Sequence, residues 1–313
     1  MSVLSKPYFH DEAAAFAKLE SIVWPHGPVC PHCGGNERIY ALEGVKDKKG
    51  RVRPGLKKCG HCRKQFTVRV GTVFESSHVP LYKWLQATHL MCSSKKGISA
   101  HQLHRTLEVT YKTAWFMAHR LREAMRDGEL APMGGAGEIV EADETYFGNR
   151  EKITTRTKRG KSGLASKRPV LALVQRGGKV RSFQVDRATK NNVRDVVMAN
   201  IDRETRVFTD ESKLYGDVKA HFKEHGTVRH SINEYVVGEV HTNTIEGVFS
   251  IFKRGMKGVY QHCSEKHLHR YLAEFDFRYN NRSGVGVSDS ERSERALCGI
   301  LGKRLTYGGP NTL

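Results

Sequence analysis

Residues 138–147 read EIVEADETYF. Val140 and Ala142 fall on one side of an extended chain and Glu141 and Asp143 on the other, the period-two pattern of a strand. Three more strand-like stretches follow: VLALVQ (170–175), KVRSFQVD (179–186) and TRVFTD (205–210). Gly177-Gly178 supplies a hairpin turn between the second and third. TKNNVRDVVMANI (189–201) reads as a helix between the third and fourth. A short helix is expected after Asp210, and longer ones over about 242–253 and 265–280. Three strands, a helix, a strand and then helices is an α/β order.

Towards the N-terminus the Gly-rich stretch APMGGAG (131–137) reads as an interdomain linker. Before it, KGISAHQLHRTLEVTYKTAWFMAHRLREAM (96–125) has the pattern of a helix-turn-helix. Ser99 is placed to cap a helix through Leu107, residues 107–110 form the turn, and a second helix covers 111–125. Ala114, Met117, Ala118 and Leu121 mark its buried face, leaving Tyr111, Lys112, His119 and Arg120 to face a ligand. An ordinary helical hairpin would show the same apolar pattern. Trp84 and Trp115 read as core residues, and DEAAAFAKLESIV (11–23) as a short helix.

Two C-x-x-C pairs, CPHC (30–33) and CGHC (59–62), lie 25 residues apart. Each turns two thiolates towards one point, and two together complete the tetrahedral four-sulfur shell of structural zinc. Cys30, Cys33, Cys59 and Cys62 are therefore the expected zinc ligands; Cys92, Cys263 and Cys298 read as packed thiols. Ten basic residues and a single acid, Asp47, lie from Lys46 to Arg69, a bias that fits phosphate contact, with Lys57, Lys58, Arg63 and Lys64 as candidates.

The whole chain of 313 residues carries 52 Lys and Arg against 33 Asp and Glu, a net charge of +19. That excess points to an acidic partner, nucleic acid above all. The longest apolar run, VLALV at 170–174, is far short of the roughly 20 residues of a membrane-spanning helix. The N-terminus lacks the pattern of a secretory signal, so a cytosolic protein without membrane association is expected. The segment 152–168 carries seven basic residues and no acid and is expected to order on DNA, with Lys158, Arg159 and Lys161 as contacts.

Against this basic background three acids stand in a telling order. Asp143 lies in the first strand, Asp210 ends the fourth, and Glu246 sits in HTNTIEGVFSIFKRG (241–255). In that helix Ile245, Val248, Phe249 and Phe252 form the buried stripe, while Asn243, Glu246 and Lys253 share another face. The order resembles the ribonuclease H-like pattern, in which carboxylates hold two divalent ions about 3.5–4 Å apart. Carboxylate ligands suit magnesium or manganese.

Taken together, WPHGPVCPHCGG (24–35), CGHCRKQFTVRVGTVFESSHVPLYKW (59–84), VTYKTAWFMAHRLR (109–122), VEADETYFG (140–148), VFTDESKLYG (207–216) and HTNTIEGVFSIFKRGMKGVYQH (241–262) resemble one family. It is the bacterial insertion-sequence transposases that join an N-terminal zinc ribbon to a DDE-type catalytic domain, the group related to Merlin transposons. The resemblance spans nearly the whole chain. It implies an enzyme that nicks element ends and joins the 3′ hydroxyl to target DNA, with Asp143 and Asp210 as metal ligands. The third position lies between Asn243 and Glu246, because members of the group differ there. Glu246 is chosen because a carboxylate binds a divalent ion better than an amide, and because Lys253 follows it by seven residues, as the family's signature has it. His241 is expected beside the ligands.

The expected organisation is an N-terminal helix (1–29), a zinc ribbon (30–70), a helix-turn-helix-like segment (71–130), a ribonuclease H-like domain (138–285) and a C-terminal tail (286–313). Double-stranded DNA is the expected partner, at element ends and target, and handling two ends calls for at least a dimer. Two other functions fit the same residues: a zinc-ribbon DNA-binding regulator with an inert α/β domain, and a ribonuclease H-like nuclease that cuts without joining.

Overall fold

The computed structural model describes residues 2–128, 130–149 and 167–306. It divides into two compact units, Met1–Arg126 with Arg282–Leu313, and Asp127–Asn281.

The second unit is a mixed α/β structure. Its strands are β4 (Ile139–Asn149), β5 (Lys167–Gln175), β6 (Val180–Gln184), β7 (Arg206–Asp210) and β8 (Glu224–Val228), numbered after three short strands of the first unit. They lie in the order β6-β5-β4-β7-β8, with β4 at the centre. β4, β5 and β6 pair antiparallel, whereas β7 runs parallel to both β4 and β8. The expected hairpin turn closes with the Gln175 N–H donating to the Lys179 carbonyl at 2.9 Å. Gly177 there has φ +69°, a conformation that favours glycine. β8 is absent from the sequence reading, because EHGTV is short and polar and buries only Val228.

Each sheet face is covered by helices. α5 (Lys190–Asn200) is capped by Thr189, whose hydroxyl accepts from the Asn192 N–H. Val193 and Val197 pack on Val140, Ala142, Leu171, Leu173 and Val207. On the other face, Ile245, Val248 and Phe249 of α6 (Asn243–Gly255) pack on Ala172 and Val174. Phe252 joins Leu268, Tyr271, Leu272 and Phe275 of α7 (Leu268–Asn280) over Val170. β5 is buried on both sides along most of its length, which is why it reads as one apolar run rather than an alternation. A two-stranded ribbon, β9 (Val236–Val237) and β10 (Val240–His241), leads into α6.

The stretch 131–137 is not a linker. Met133 is buried in the α5 side of the core. Its N–H donates to the Asn200 carbonyl at 2.7 Å and its carbonyl accepts from the Asp202 N–H at 2.8 Å. Gly134, at φ +83°, lies so close to Thr205 that a Cβ would meet its Oγ1 at 2.3 Å. Gly134 serves close packing of backbone on side chain, a use that composition does not separate from flexibility.

The first unit starts with α1 (Glu12–Val23), capped by Asp11. A three-stranded sheet follows, β1 (Ile39–Ala41), β2 (Lys57–Cys59) and β3 (Gln65–Phe66), in that order. Beside it the Sγ atoms of Cys30 and Cys62 are 3.7 Å apart and those of Cys33 and Cys59 3.6 Å, and all four lie within 4.8 Å of one another. Tetrahedral zinc with Zn–S of about 2.3 Å requires sulfurs about 3.8 Å apart. The four cysteines thus fit a zinc ion by chemistry and by spacing.

Helices α2 (Leu81–Ser93), α3 (Ala100–Leu107) and α4 (Tyr111–Met125) complete the segment. Ser99 and Thr110 cap α3 and α4 through side-chain oxygens, and Glu108 makes the turn at φ 50°. Ala114, Met117, Ala118 and Leu121 are buried as expected, and so is Trp84. The reading of His119 and Arg120 as facing a ligand is corrected, since both are buried. Arg120 donates to the carbonyls of Val73, Glu75 and Leu305 at 2.8, 2.9 and 3.1 Å. Only the first turn of α4 is exposed, at Tyr111 and Lys112. Chain beyond Arg282, where the sequence allows a closing helix around 289–302, contributes α8 (Asp289–Cys298), which packs against α1, α2 and α4. Cys92 is buried but Cys298 is exposed.

Two outcomes test this architecture. Gly134→Ala is expected to destabilise the second unit by about 2–4 kcal/mol, combining left-handed strain with overpacking against Thr205; urea unfolding measures it. Elemental analysis should find zinc bound to the purified protein, and Cys59→Ser should lose that zinc and unfold the ribbon, read as new protease-sensitive sites within 30–66.

Candidate active site

Asp143 and Asp210 meet through strand register. β4 and β7 pair in parallel up to Glu141 opposite Phe208. Asp143 and Asp210 each lie two residues beyond that pair, hence on the same sheet face as Glu141. α6 packs over that face and carries Glu246 in its first turn.

The charges of Asp210 and Glu246 both reach Asp143. Burial pushes the Asp143 carboxyl up to about 8, and the charges of Asp210, Glu144 and Glu246 push in the same direction. Its Oδ1 accepts the Glu144 N–H at 2.7 Å, which opposes the shift. Asp210 Oδ1 accepts from the Ser212 N–H at 3.0 Å. Glu246 is exposed, with Oε1 3.5 Å from the Thr242 hydroxyl and 3.9 Å from His230 Nε2. Among the described residues, only the four cysteines bring three or more ligand atoms within 4.8 Å of one another; the acidic trio is more widely set. The donor set fits hard divalent cations, since it is all carboxylate and carries surplus negative charge in a half-buried place.

Glu144 and Tyr215, absent from the sequence reading, belong to the same cluster. The Tyr215 hydroxyl donates to Glu144 Oε2 at 2.8 Å, joining β4 to the turn that follows Asp210. Burial raises the Glu144 carboxyl, with Asp210 adding to the shift. Burial also raises the Tyr215 hydroxyl well above its usual range, so it stays a donor. The repeated acids of VEADE were a usable signal for Glu144; a lone tyrosine in a loop was not.

The neighbouring candidates separate. His241 Nδ1 lies 3.3 Å from Glu141 Oε1, so it touches the acid beside Asp143 rather than the trio. Asn243, the first residue of α6, is exposed, as is Lys253; the Lys253 ammonium lies 6.0 Å from the centre of the Phe249 ring.

Of the residues read as DNA contacts, Lys58, Arg63, Lys64 and Lys112 are exposed. Lys57 is committed elsewhere, paired with Glu20 at 2.8 Å and set over the Trp24 ring. Arg120 is removed from the list by its burial and its three carbonyl partners. Lys158, Arg159 and Lys161 lie outside the described residues.

Comparison with known proteins agrees with this layout. Residues 10–65 match the transposase zinc-ribbon domain and residues 135–280 match the ISXO2-like transposase domain. A protein of Halobacterium salinarum, described as an uncharacterized protein in transposable element ISH50, is 29% identical, with 86% of this chain and 91% of that protein covered. With both domains present in that order, the chain belongs to the family of insertion-sequence transposases that set a zinc ribbon ahead of an ISXO2-like transposase domain.

Proposed function

We propose that the protein cleaves the ends of its insertion sequence and joins the freed 3′ hydroxyl to target DNA, using divalent ions held by Asp143, Asp210 and Glu246. The observation that carries this reading is the Asp143 carboxyl, pushed up to about 8 by burial and by three surrounding acids. A site that gathers negative charge on a sheet face under a helix gains most from a cation. Support for a ribonuclease H-like fold comes from the sheet, with three antiparallel strands, two parallel ones, and the first strand at the centre.

Two ions of magnesium or manganese would supply Lewis-acid activation of the attacking oxygen and stabilisation of the leaving oxygen. Asp143 and Asp210 would hold them from the sheet and Glu246 from α6. Glu246 is preferred to Asn243 because Asp143 feels its charge, although both side chains are exposed. Lys58, Arg63, Lys64 and Lys112 would contact phosphates, with Lys158, Arg159 and Lys161 added from outside the described residues. Handling two element ends calls for at least a dimer acting in the cytoplasm. A zinc-ribbon regulator or a nuclease that does not join would show binding alone, or cleavage alone, in the same assays.

Asp143→Asn and Asp210→Asn should each lower cleavage and strand transfer by at least about 10³-fold, the loss expected for several kcal/mol of ion-borne stabilisation. Binding to labelled end DNA should persist. Full turnover by either variant removes the assignment.

A second test uses pH. A carboxyl raised from its ordinary range to about 8 makes the folded state bind more protons than the unfolded chain. Its contribution to stability is therefore present at low pH and is lost as pH rises through that value. An ion needs the deprotonated form, so magnesium should raise the thermal midpoint more at pH 8.5 than at pH 6. An equal shift at both values, or one that survives in Asp143→Asn, counts against the site.

A further inference from the structure

Glu141, two residues before Asp143, is fully buried: its side chain has 0% exposure. Four groups converge on its carboxylate. Oε1 accepts from Arg176 Nε at 2.7 Å and from the Thr244 hydroxyl at 2.9 Å, and His241 Nδ1 lies 3.3 Å away. Oε2 accepts the backbone N–H of Ile245 at 2.9 Å. Arg176 carries the connection further, donating to the carbonyls of Glu239 and His241 at 2.8 and 3.0 Å and lying over the Phe208 ring of β7. One buried ion pair thus joins β4, the β5–β6 turn, β7, the β9–β10 ribbon and the start of α6.

The contact with α6 has a particular form. Thr242 occupies the N-cap position and makes no side-chain cap hydrogen bond. The amide an N-cap side chain ordinarily satisfies is that of the second or third helical residue, and here Ile245 is the third. Glu141 supplies that bond from a strand 104 residues away in sequence. The helix dipole adds to the attraction, its positive end meeting a carboxylate. Glu246 is the next residue after Ile245, and Asp143 lies two residues beyond Glu141.

We propose that Glu141 is a positioning residue: by capping α6 from β4, with Arg176 as counter-ion, it sets where Glu246 stands relative to Asp143, and so sets the affinity of the site for its divalent ions. This rests on the two-ion reading above. Its role differs from that of the ion ligands, because both of its oxygens bond donors of the protein.

The test compares Glu141→Gln, Thr244→Val and Thr244→Ser with the natural chain by three measurements: manganese binding followed through free Mn²⁺ resonance, the magnesium dependence of end cleavage, and amide hydrogen exchange. Glu141→Gln keeps the shape and one acceptor oxygen but gives up the charge. Its half-saturating manganese and magnesium concentrations should rise by about tenfold or more, the range set by groups that orient metal ligands. At saturating magnesium the cleavage rate should recover to within about threefold, since the ligands themselves remain. Exchange at Ile245–Val248 should speed by about tenfold while β5 and α7 exchange as before. Thr244→Val should move the same readouts in the same direction by less, and Thr244→Ser should match the natural chain. Unchanged ion affinity in Glu141→Gln overturns the proposal, and so does exchange that quickens evenly across the second unit, which marks a general stability role. If Glu141→Gln is insoluble, Thr244→Val decides by the same criteria. A natural chain that binds manganese without cleaving ends defeats the two-ion transposition reading instead, leaving manganese affinity and exchange to judge Glu141.

Discussion

A strand at the centre of a sheet covered by helices on both faces must bury both of its own faces, and β4 does so with Glu141 and Asp143 side by side on one of them. Burying a carboxylate is strongly unfavourable without compensating partners. The second unit answers this in two ways within three residues. Glu141 is surrounded by donors and paired with Arg176. Asp143 receives one backbone N–H and otherwise faces other acids. The first arrangement is a solved electrostatic problem and serves architecture. The second is left unsolved by the protein's own groups, as befits a place where a cation or a substrate completes the charge balance.

Much of this was legible beforehand because β4 advertises itself. Its alternation, the turn at Gly177-Gly178 and the apolar run of β5 mark three strands and the hairpin between the second and third. The cap Ser99 and the helix starts read near 11, 111 and 189 are reproduced by the structure within a residue or two. Four cysteines at knuckle spacing leave little room for another geometry. Asp143, Asp210 and Glu246 stood out by their order in a chain with this excess of base, and the fold brings the charges of Asp210 and Glu246 within reach of Asp143.

What escaped the sequence has a common physical origin, namely that polar side chains can serve the interior through backbone carbonyls. Arg120 reads as a basic residue on the outer face of a helix, yet its guanidinium fork satisfies three carbonyls of the surrounding chain. Arg176 reads as a residue beside a turn, yet it ties the ribbon before α6 to β4. Lys57 reads as one more base in a basic stretch, yet Glu20 engages it. No local pattern separates such residues from solvated ones, because their partners lie far away in sequence. β8 and the Met133 segment were missed for a related reason, each being defined by what it packs against.

The first unit is built from two separated pieces of chain, with α8 supplied by residues that come after the whole of the second unit. On the ribosome α1, α2 and α4 emerge long before their fourth helix. The backbone of Cys92 waits for Arg292, which reaches its carbonyl at 2.8 Å, and Lys18 waits for Glu294 at 2.6 Å. Domains generally fold as they are synthesised, but this one cannot close its core until α8 has been made. A product cut short between Asn281 and α8 would keep an intact sequence for the acidic site and yet lack a finished first unit. Synthesis through α8 is thereby a condition for assembling the unit that carries the zinc ribbon.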